Sequence, residues 1–374
     1  MGWADSMKLL HRYILQSILA ATLIVALAIA AVSAVLALVD ELSNIGRGTY
    51  GLLLALQFVA LQVPRGVYEL FPIIVLLGTV LGLGGLASGS ELVAMRAAGV
   101  SLMRLSVSVL RAGLLFAVVC VLISEWLAPR AEALEHRLRA MSGLQDEWSK
   151  LESGIWLRDG DSYIRVGTVV STRLLEDIHL YRFGSDQKLQ IAVEADRARF
   201  SNGRWELLQV RQTQFQEGKV ESYRAARMSW NTNLNPTLLK VSVMPPDRQT
   251  MQTLFQYARY LKEYRLDASH YQIALWSKAA VPVMVLIMAV LAIPFVVGPL
   301  RTTGAGQRMF VGMVVGVVFF LLNEITQSTG RVYGLSPLLS AWLPTMVLGA
   351  VTLSWLVYLN WPAPLQRLLK PLRR

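Results

Sequence analysis

One cysteine, Cys120, is all the chain holds, so no disulfide can form within it and every folded part must be held by its own core. Histidine is almost as scarce. His11, His136, His179 and His270 lie far apart, no H-E-x-x-H run occurs, and nothing supplies the clustered ligands or the nucleophile–base pair that an enzyme needs. No G-x-x-x-x-G-K-[ST] loop is present to cradle nucleotide phosphates. Charge is thin at 16% of residues, against 54% hydrophobic, and the mean hydropathy of +0.45 lies outside the usual range of soluble globular chains. Acids are the scarcer sign, 25 against 36 Lys and Arg, giving a net charge of +11. That excess is dispersed among short loops, which argues against nucleic-acid binding and fits attraction to anionic lipid.

What the chain has in abundance is long apolar runs. The first, Ile14 to Val39, is long enough to cross a hydrocarbon core of about 30 Å with some tilt, and too long for the core of a cleaved leader despite Lys8, Arg12 and the Ala28-Ile29-Ala30 stretch. Five more follow: Leu70 to Ala87, Leu102 to Leu127, Tyr271 to Val297, Met309 to Leu322 extended to Ser328, and Leu338 to Leu359. Between the third and fourth, Trp148 to Pro246 is soluble in character. The expected fold is an α-helical membrane protein with six transmembrane helices and an inserted all-β domain, divided as 1–130, 131–265 and 266–374.

Orientation follows the bias of Lys and Arg in the loops. Lys8, Arg12, Arg96, Arg104, Arg301, Arg308, Arg367, Lys370, Arg373 and Arg374 fall on one side, and the two short segments of the other hold only Arg47, Arg65 and Arg331. Both termini are therefore expected in the cytoplasm and the inserted domain outside. Glu125 and Glu324 fall near the outer ends of their crossings, where pairing with a cation or facing a cavity is favoured over catalysis.

The inserted domain shows strands by alternation: Ile164 and Val166, Ile178 and Leu180, Trp205 and Leu207, each interleaved with polar residues. Asp159-Gly160-Asp161, Gly184-Ser185-Asp186, Asn202-Gly203 and Glu217-Gly218-Lys219 punctuate them as turns, and short strands at this spacing suit a sandwich, jelly roll or incomplete barrel. Beyond the strands, Leu254, Tyr257, Ala258 and Leu261 share one face of a connecting helix.

On the inner side, Ser88 through Gly99 carries a short helix. Ser88 and Glu91 have the spacing of a capping box, and Gly99 suits a left-handed stop. Ser90-Glu91-Leu92-Val93-Ala94-Met95-Arg96-Ala97-Ala98-Gly99 resembles the coupling-helix segment of the LptF/LptG permeases, membrane subunits of the lipopolysaccharide export ABC transporter. The resemblance extends through Arg12-Tyr13-Ile14, Trp126-Leu127-Ala128-Pro129, Gly154 to Gly160, Tyr257 to Leu261, Trp276-Ser277-Lys278 and Gly298-Pro299-Leu300-Arg301, so it spans nearly the whole chain.

That resemblance implies a jelly-roll-like periplasmic domain and a heterodimer with LptF, the sibling whose architecture it shares but from which the Gly154 and Gly298 segments depart. It implies a cytoplasmic LptB dimer that uses ATP, since no cofactor is expected on this chain, and an LptC anchor helix beside the alanines of the first crossing, Ala20 to Ala37. LptC and LptA would continue the periplasmic path for lipopolysaccharide. Glu91, Leu92, Met95, Arg96, Ala97 and Gly99 would couple to the ATPase. An LptF-type role, or a permease that transmits force without passing lipid, are the alternatives.

A phosphorylated lipid needs apolar walls topped by cations, because charge-assisted bonds to phosphate strengthen where water is partly excluded. The residues at suitable depth are Arg47, Arg65, Arg137 and Arg139. Arg65 and Arg139 match family positions that are basic, and His136 falls at another, where it contributes only when protonated. The family's lysines near the outer end of the first crossing have no counterpart, since Ala37, Ser43 and Asn44 stand there. Gly78 with Gly82, Gly85 with Gly89, and Gly312 with Gly316 have the small-xxx-small spacing of close helix contacts.

Overall fold

The computed structural model describes residues 3–42, 51–141, 155–159, 162–171, 173–184, 188–201, 203–216, 219–230, 232, 245–263, 267–297 and 304–360. Its chain divides into two compact units, Met1–Glu135 with Gln272–Arg374, and His136–Tyr271.

The first unit is helical. Helix α1, Trp3–Leu42, has no glycine or proline to interrupt it, and α2 spans Leu52–Ser88 with Pro64 and Pro72 inside. The short α3 is Glu91–Ala97, and α4, Leu102–Leu122, runs into a π-helical turn at Ile123–Leu127 and then α5, Ala128–Met141. After the second unit's α6, Met251–Glu263, come α7, Ser269–Val297, α8, Ala305–Tyr333, and α9, Pro337–Asn360. Six stretches among the described residues are long and apolar enough to cross a membrane, so the six-span, multi-pass expectation holds, with each spanning stretch longer than its apolar run.

The π turn has a local cause. Pro129 has no N–H to offer the carbonyl four residues earlier and its ring crowds that carbonyl, so the ladder widens just before it. The Ala128 N–H reaches back to the Ile123 carbonyl instead.

Helices α1 and α2 meet through small residues. A Cβ on Gly78 would collide with Thr22, one on Gly82 would lie 2.9 Å from the Ile18 Cα, and the Ser17 hydroxyl donates to the Gly82 carbonyl at 3.1 Å. Gly312 and Gly316 of α8 likewise take Leu77 and Ile73 of α2. The third spacing does not act this way: Gly85 faces open space, and Gly89 meets only its own backbone and Glu91. Around α2, Ile14, Ile18, Leu83, Val109, Val285 and Ile293 form a buried core.

The second unit is built on a six-stranded antiparallel sheet ordered as in the chain: β1 Ile155–Asp159, β2 Ser162–Ser171, β3 Leu174–Phe183, β4 Leu189–Ser201, β5 Arg204–Gln216 and β6 Lys219–Trp230. The alternating residues expected to face inward do so, with Ile164, Val166, Ile178, Leu180, Trp205 and Leu207 all buried. Among the described residues the inserted all-β domain is a single antiparallel sheet with one buried cluster. Every described strand pairs with its neighbour in sequence, as a meander does.

One row across this sheet breaks the pairing. Gly167, Asp177, Asp196, Gln209 and Ala226 stand opposite one another on five successive strands and are skipped in every ladder. Asp177 and Gln209 take left-handed backbone, φ 57° and 54°. The pleat turns over there: Leu175 and Ile178, Ala195 and Ala198, Leu207 and Val210 are buried three apart rather than two. The same face thus stays inward on both sides of the crease. Gly167 is required because the Asp177 side chain lies where a Cβ would go. In the same unit, Leu254, Tyr257, Ala258 and Leu261 are buried along α6, as their spacing predicts.

Candidate functional site

Polar residues gather in the first unit near the end of α2 remote from α3. Arg65 precedes Ser88 by 23 residues of helix, about 35 Å of rise. Its Nε donates to Glu69 Oε1 at 2.6 Å, one turn along the same helix, and its Nη1 lies 3.6 Å from Glu132 Oε1 on α5. Lys278 of α7 donates to Glu125 at 3.3 Å, and Tyr68 of α2 is hydrogen-bonded to Ser124. Gln62 Nε2 bridges two carboxylates, Glu41 of α1 at 3.2 Å and Glu135 of α5 at 3.0 Å.

Two features of the sequence place this cluster. The π turn carries Ser124 and Glu125, and Ser124 is buried. Lys278 breaks an otherwise apolar stretch of α7 and is itself buried, a position a lysine holds only when paired. Glu125 pairs with a cation, as its depth suggested, and so does Glu324, 3.5 Å from Arg331. The roles of Glu132, Gln62 and Glu41 were not foreseen. Their signal was the spacing of acids along α5, Glu132 and Glu135, on the stretch between Pro129 and the three cation candidates.

The expected phosphate ligands fare unequally. Arg65 is held by two carboxylates and keeps 17% of its side chain exposed. Arg137 is exposed and Arg139 half-buried on α5, both within the second unit, and His136 lies on the same helix. Arg47 lies outside the described residues.

At the other end, α3 differs from its expected form. The residue before it is Ser90, in left-handed backbone at φ 59° and without a side-chain cap bond. Ser88 turns back to donate to the Gly85 carbonyl at 2.9 Å, so the Ser88–Glu91 capping box does not form. A capping box places the acid three positions after the cap, so Ser88 would have to start the helix at residue 89, and the helix begins two residues too late for that. Gly99 does make the stop, at φ 90°, with the Val100 N–H on the Met95 carbonyl.

Leu92 is buried and Met95 packs half-buried on the same core, so these two anchor α3 to the first unit. Val93, Ala94, Arg96 and Ala97 form its outward face, with Gly99 exposed beyond. Glu91 is half-buried, and its carboxylate lies beside the Tyr13 hydroxyl of α1. His11, two residues before Tyr13 on α1, is hydrogen-bonded to Ser108 of α4.

Among the described residues no group of three or more His, Cys, Asp or Glu is disposed to hold a metal ion. The arrangement is that of a membrane bundle with a polar cluster at one end and a short presenting helix at the other. The chain is 32% identical over 351 residues to the lipopolysaccharide export system permease protein LptG of Escherichia coli (strain K12), an alignment covering 93% of this chain and 97% of that one. It is 32% identical over 352 residues to the protein of the same name from Haemophilus influenzae, covering 93% and 98%. The family described as lipopolysaccharide export system permease LptF/LptG matches residues 12–358, and the chain belongs to that family.

Proposed function

We propose that the chain is the LptG-type half of a permease that takes lipopolysaccharide from the outer leaflet of the inner membrane and passes it to a periplasmic bridge. The work comes from ATP hydrolysis in a separate subunit, and this chain does no catalysis. Its partners in this reading are LptF as the other half, an LptB dimer at α3, the LptC anchor beside α1, and LptA beyond. Both termini and α3 are cytoplasmic and the β unit periplasmic, as the loop arginines indicate.

One observation carries the reading. Along α2 the Arg65 cluster lies about 35 Å of rise from the Ser88 end that leads into α3, and both elements pack into the first unit, so a displacement of the short helix has a continuous path along α2 towards the cations. The wide apolar face of α1, with Leu23, Ile24, Leu27, Val35 and Leu36 exposed, supports a neighbouring helix there.

Photocrosslinking in cells tests it. A photoreactive residue at Val35 of α1 or at Val63 of α2 is expected to capture lipopolysaccharide. Adducts with phospholipid alone at both positions would overturn the lipid assignment.

A further inference from the structure

We propose that Glu132 is the exchange partner of Arg65: it holds the guanidinium when no anionic headgroup is present, gives it up to a phosphate, and takes it back on release. The inference rests on Arg65 as a phosphate ligand and adds how the phosphate is let go.

The geometry distinguishes the two carboxylates on Arg65. Glu69 sits one turn along the same helix, half-exposed, with its oxygen 2.6 Å from Nε. A contact this short is a charge-assisted hydrogen bond, and because both residues ride on α2 it persists through any movement between helices. Glu132 stands on α5, almost wholly buried, with its Oε1 3.6 Å from Nη1. That separation is beyond hydrogen-bond range, so the contact is Coulombic attraction alone. Among the contacts described, the guanidinium faces two carboxylates, and the Lys278 ammonium is near enough to act on both Arg65 and Glu132. A phosphate that takes Glu132's place leaves the number of anions on the guanidinium unchanged, with Lys278 still there to offset Glu132, whereas a phosphate added on top of both carboxylates would crowd a third anion onto it.

The neighbouring pair shows what a fixed contact is like. Lys278 is buried and hydrogen-bonded to Glu125, whereas Arg65 keeps 17% of its side chain exposed and remains within reach of a ligand. Gln62 binds Glu135 one turn beyond Glu132, holding this part of α5 near α2. Glu132 is thus a positioning residue for Arg65 and need not touch the lipid.

The test is carried out on the assembled transporter in membranes, with a photoreactive residue at Val63 reporting lipopolysaccharide occupancy before and after ATP is added. Glu132→Gln, which removes the competing charge at nearly constant volume, is expected to raise occupancy about fivefold without ATP and to slow its loss once ATP is added. Glu69→Gln is expected to change occupancy less. Should the glutamine variant fail to accumulate, Glu132→Asp, which draws the carboxylate back from Arg65, is expected to act in the same direction.

A purely structural Glu132 would lower occupancy in both variants, and unchanged or reduced occupancy in an assembled complex overturns the exchange. The underlying reading fails separately: undiminished crosslinking in Arg65→Gln would remove Arg65 as a phosphate ligand whatever Glu132 does.

Discussion

Lys278 Nζ lies 3.3 Å from Glu125 Oε1, and the bond joins α7 to the widened turn at the end of α4. Removing one partner of a buried pair strands the other charge. Lys278→Met is therefore expected to lower the stability of the solubilised permease by about 3 kcal/mol, and Lys278→Met with Glu125→Gln to recover much of that. Thermal unfolding of the two single variants and the double variant measures it. Strictly additive losses would show that the pair contributes no interaction of its own.

The glycines of α2 separate by what they face. Gly78 abuts Thr22, and Gly85 faces open space. Gly78→Val is expected to push α1 from α2 and cost about 1–3 kcal/mol, visible as lost assembly in membranes. Gly85→Val should stay within about 1 kcal/mol. Equal losses at both positions would mean that backbone approach does not set the α1–α2 contact.

The crease of the β unit is open to two opposite substitutions. Gln209 holds left-handed backbone that a side chain disfavours by about 1 kcal/mol, so Gln209→Gly is expected to stabilise the domain slightly or leave it unchanged. Gly167→Ala drives a methyl group into Asp177, which Arg165 at 3.3 Å and His179 at 3.0 Å hold in place, and is expected to destabilise by about 1–3 kcal/mol. Hydrogen exchange along β4 to β6 reads the first and along β2 and β3 the second. A neutral Gly167→Ala would mean that the row bends freely.

Much of this architecture is legible in sequence because its signals are local. An apolar run declares a crossing, and Ile164 and Val166, Ile178 and Leu180, Trp205 and Leu207 each alternate within one side of the crease. The crease itself is hidden, since it depends on five residues aligned across five strands, and a buried pair three apart breaks the two-residue period. The polar cluster is hidden for a similar reason. Arg65, Glu132, Glu125 and Lys278 come from three distant stretches, and only the fold brings these two cations and two carboxylates together. At α3 the error was one of register. Serine three residues before an acid suggests a cap, but the left-handed Ser90 starts the helix later and leaves Ser88 to Gly85. Arg308 shows the reverse case. The loop bias placed it by charge, but it is buried against Gly84 with Nε and Nη1 lacking an acceptor among the described residues, which no charge count reveals.

Acid is expected to loosen the start of α7. Asp267 accepts the Ser269 N–H at 2.8 Å, and bonds from Ser269 hold its carboxyl below the usual carboxylate range. A depressed folded pKa contributes stability that is present above the unfolded value near 3.9 and is lost as pH falls through the folded value. Asp267 is exposed, so solvent limits the effect to roughly 1 kcal/mol or less. Asp267→Ala is expected to match the native protein in acid and to be less stable at neutral pH. A stability difference that does not change with pH would assign the loss to something other than the charge.

Glu91 opens α3 without belonging to a capping box, so its carboxylate has two remaining roles: it offers an acceptor beside the Tyr13 hydroxyl, and it places negative charge at the helix start beside the outward face of Val93, Ala94, Arg96 and Ala97. Charge there interacts favourably with the helix dipole and suits a basic groove on an ATPase. Substitution separates the roles. Glu91→Gln retains an acceptor for Tyr13 and loses the charge, whereas Glu91→Lys loses the acceptor, opposes the dipole and repels a basic partner. The lysine variant is expected to insert in the membrane, because Leu92 and Met95 still anchor the helix, but to fail to retain LptB, with the glutamine variant intermediate. Copurification of tagged permease with LptB measures both. Full retention by Glu91→Lys would move the coupling contact to another part of the chain, and equal loss in both variants would assign it to charge alone.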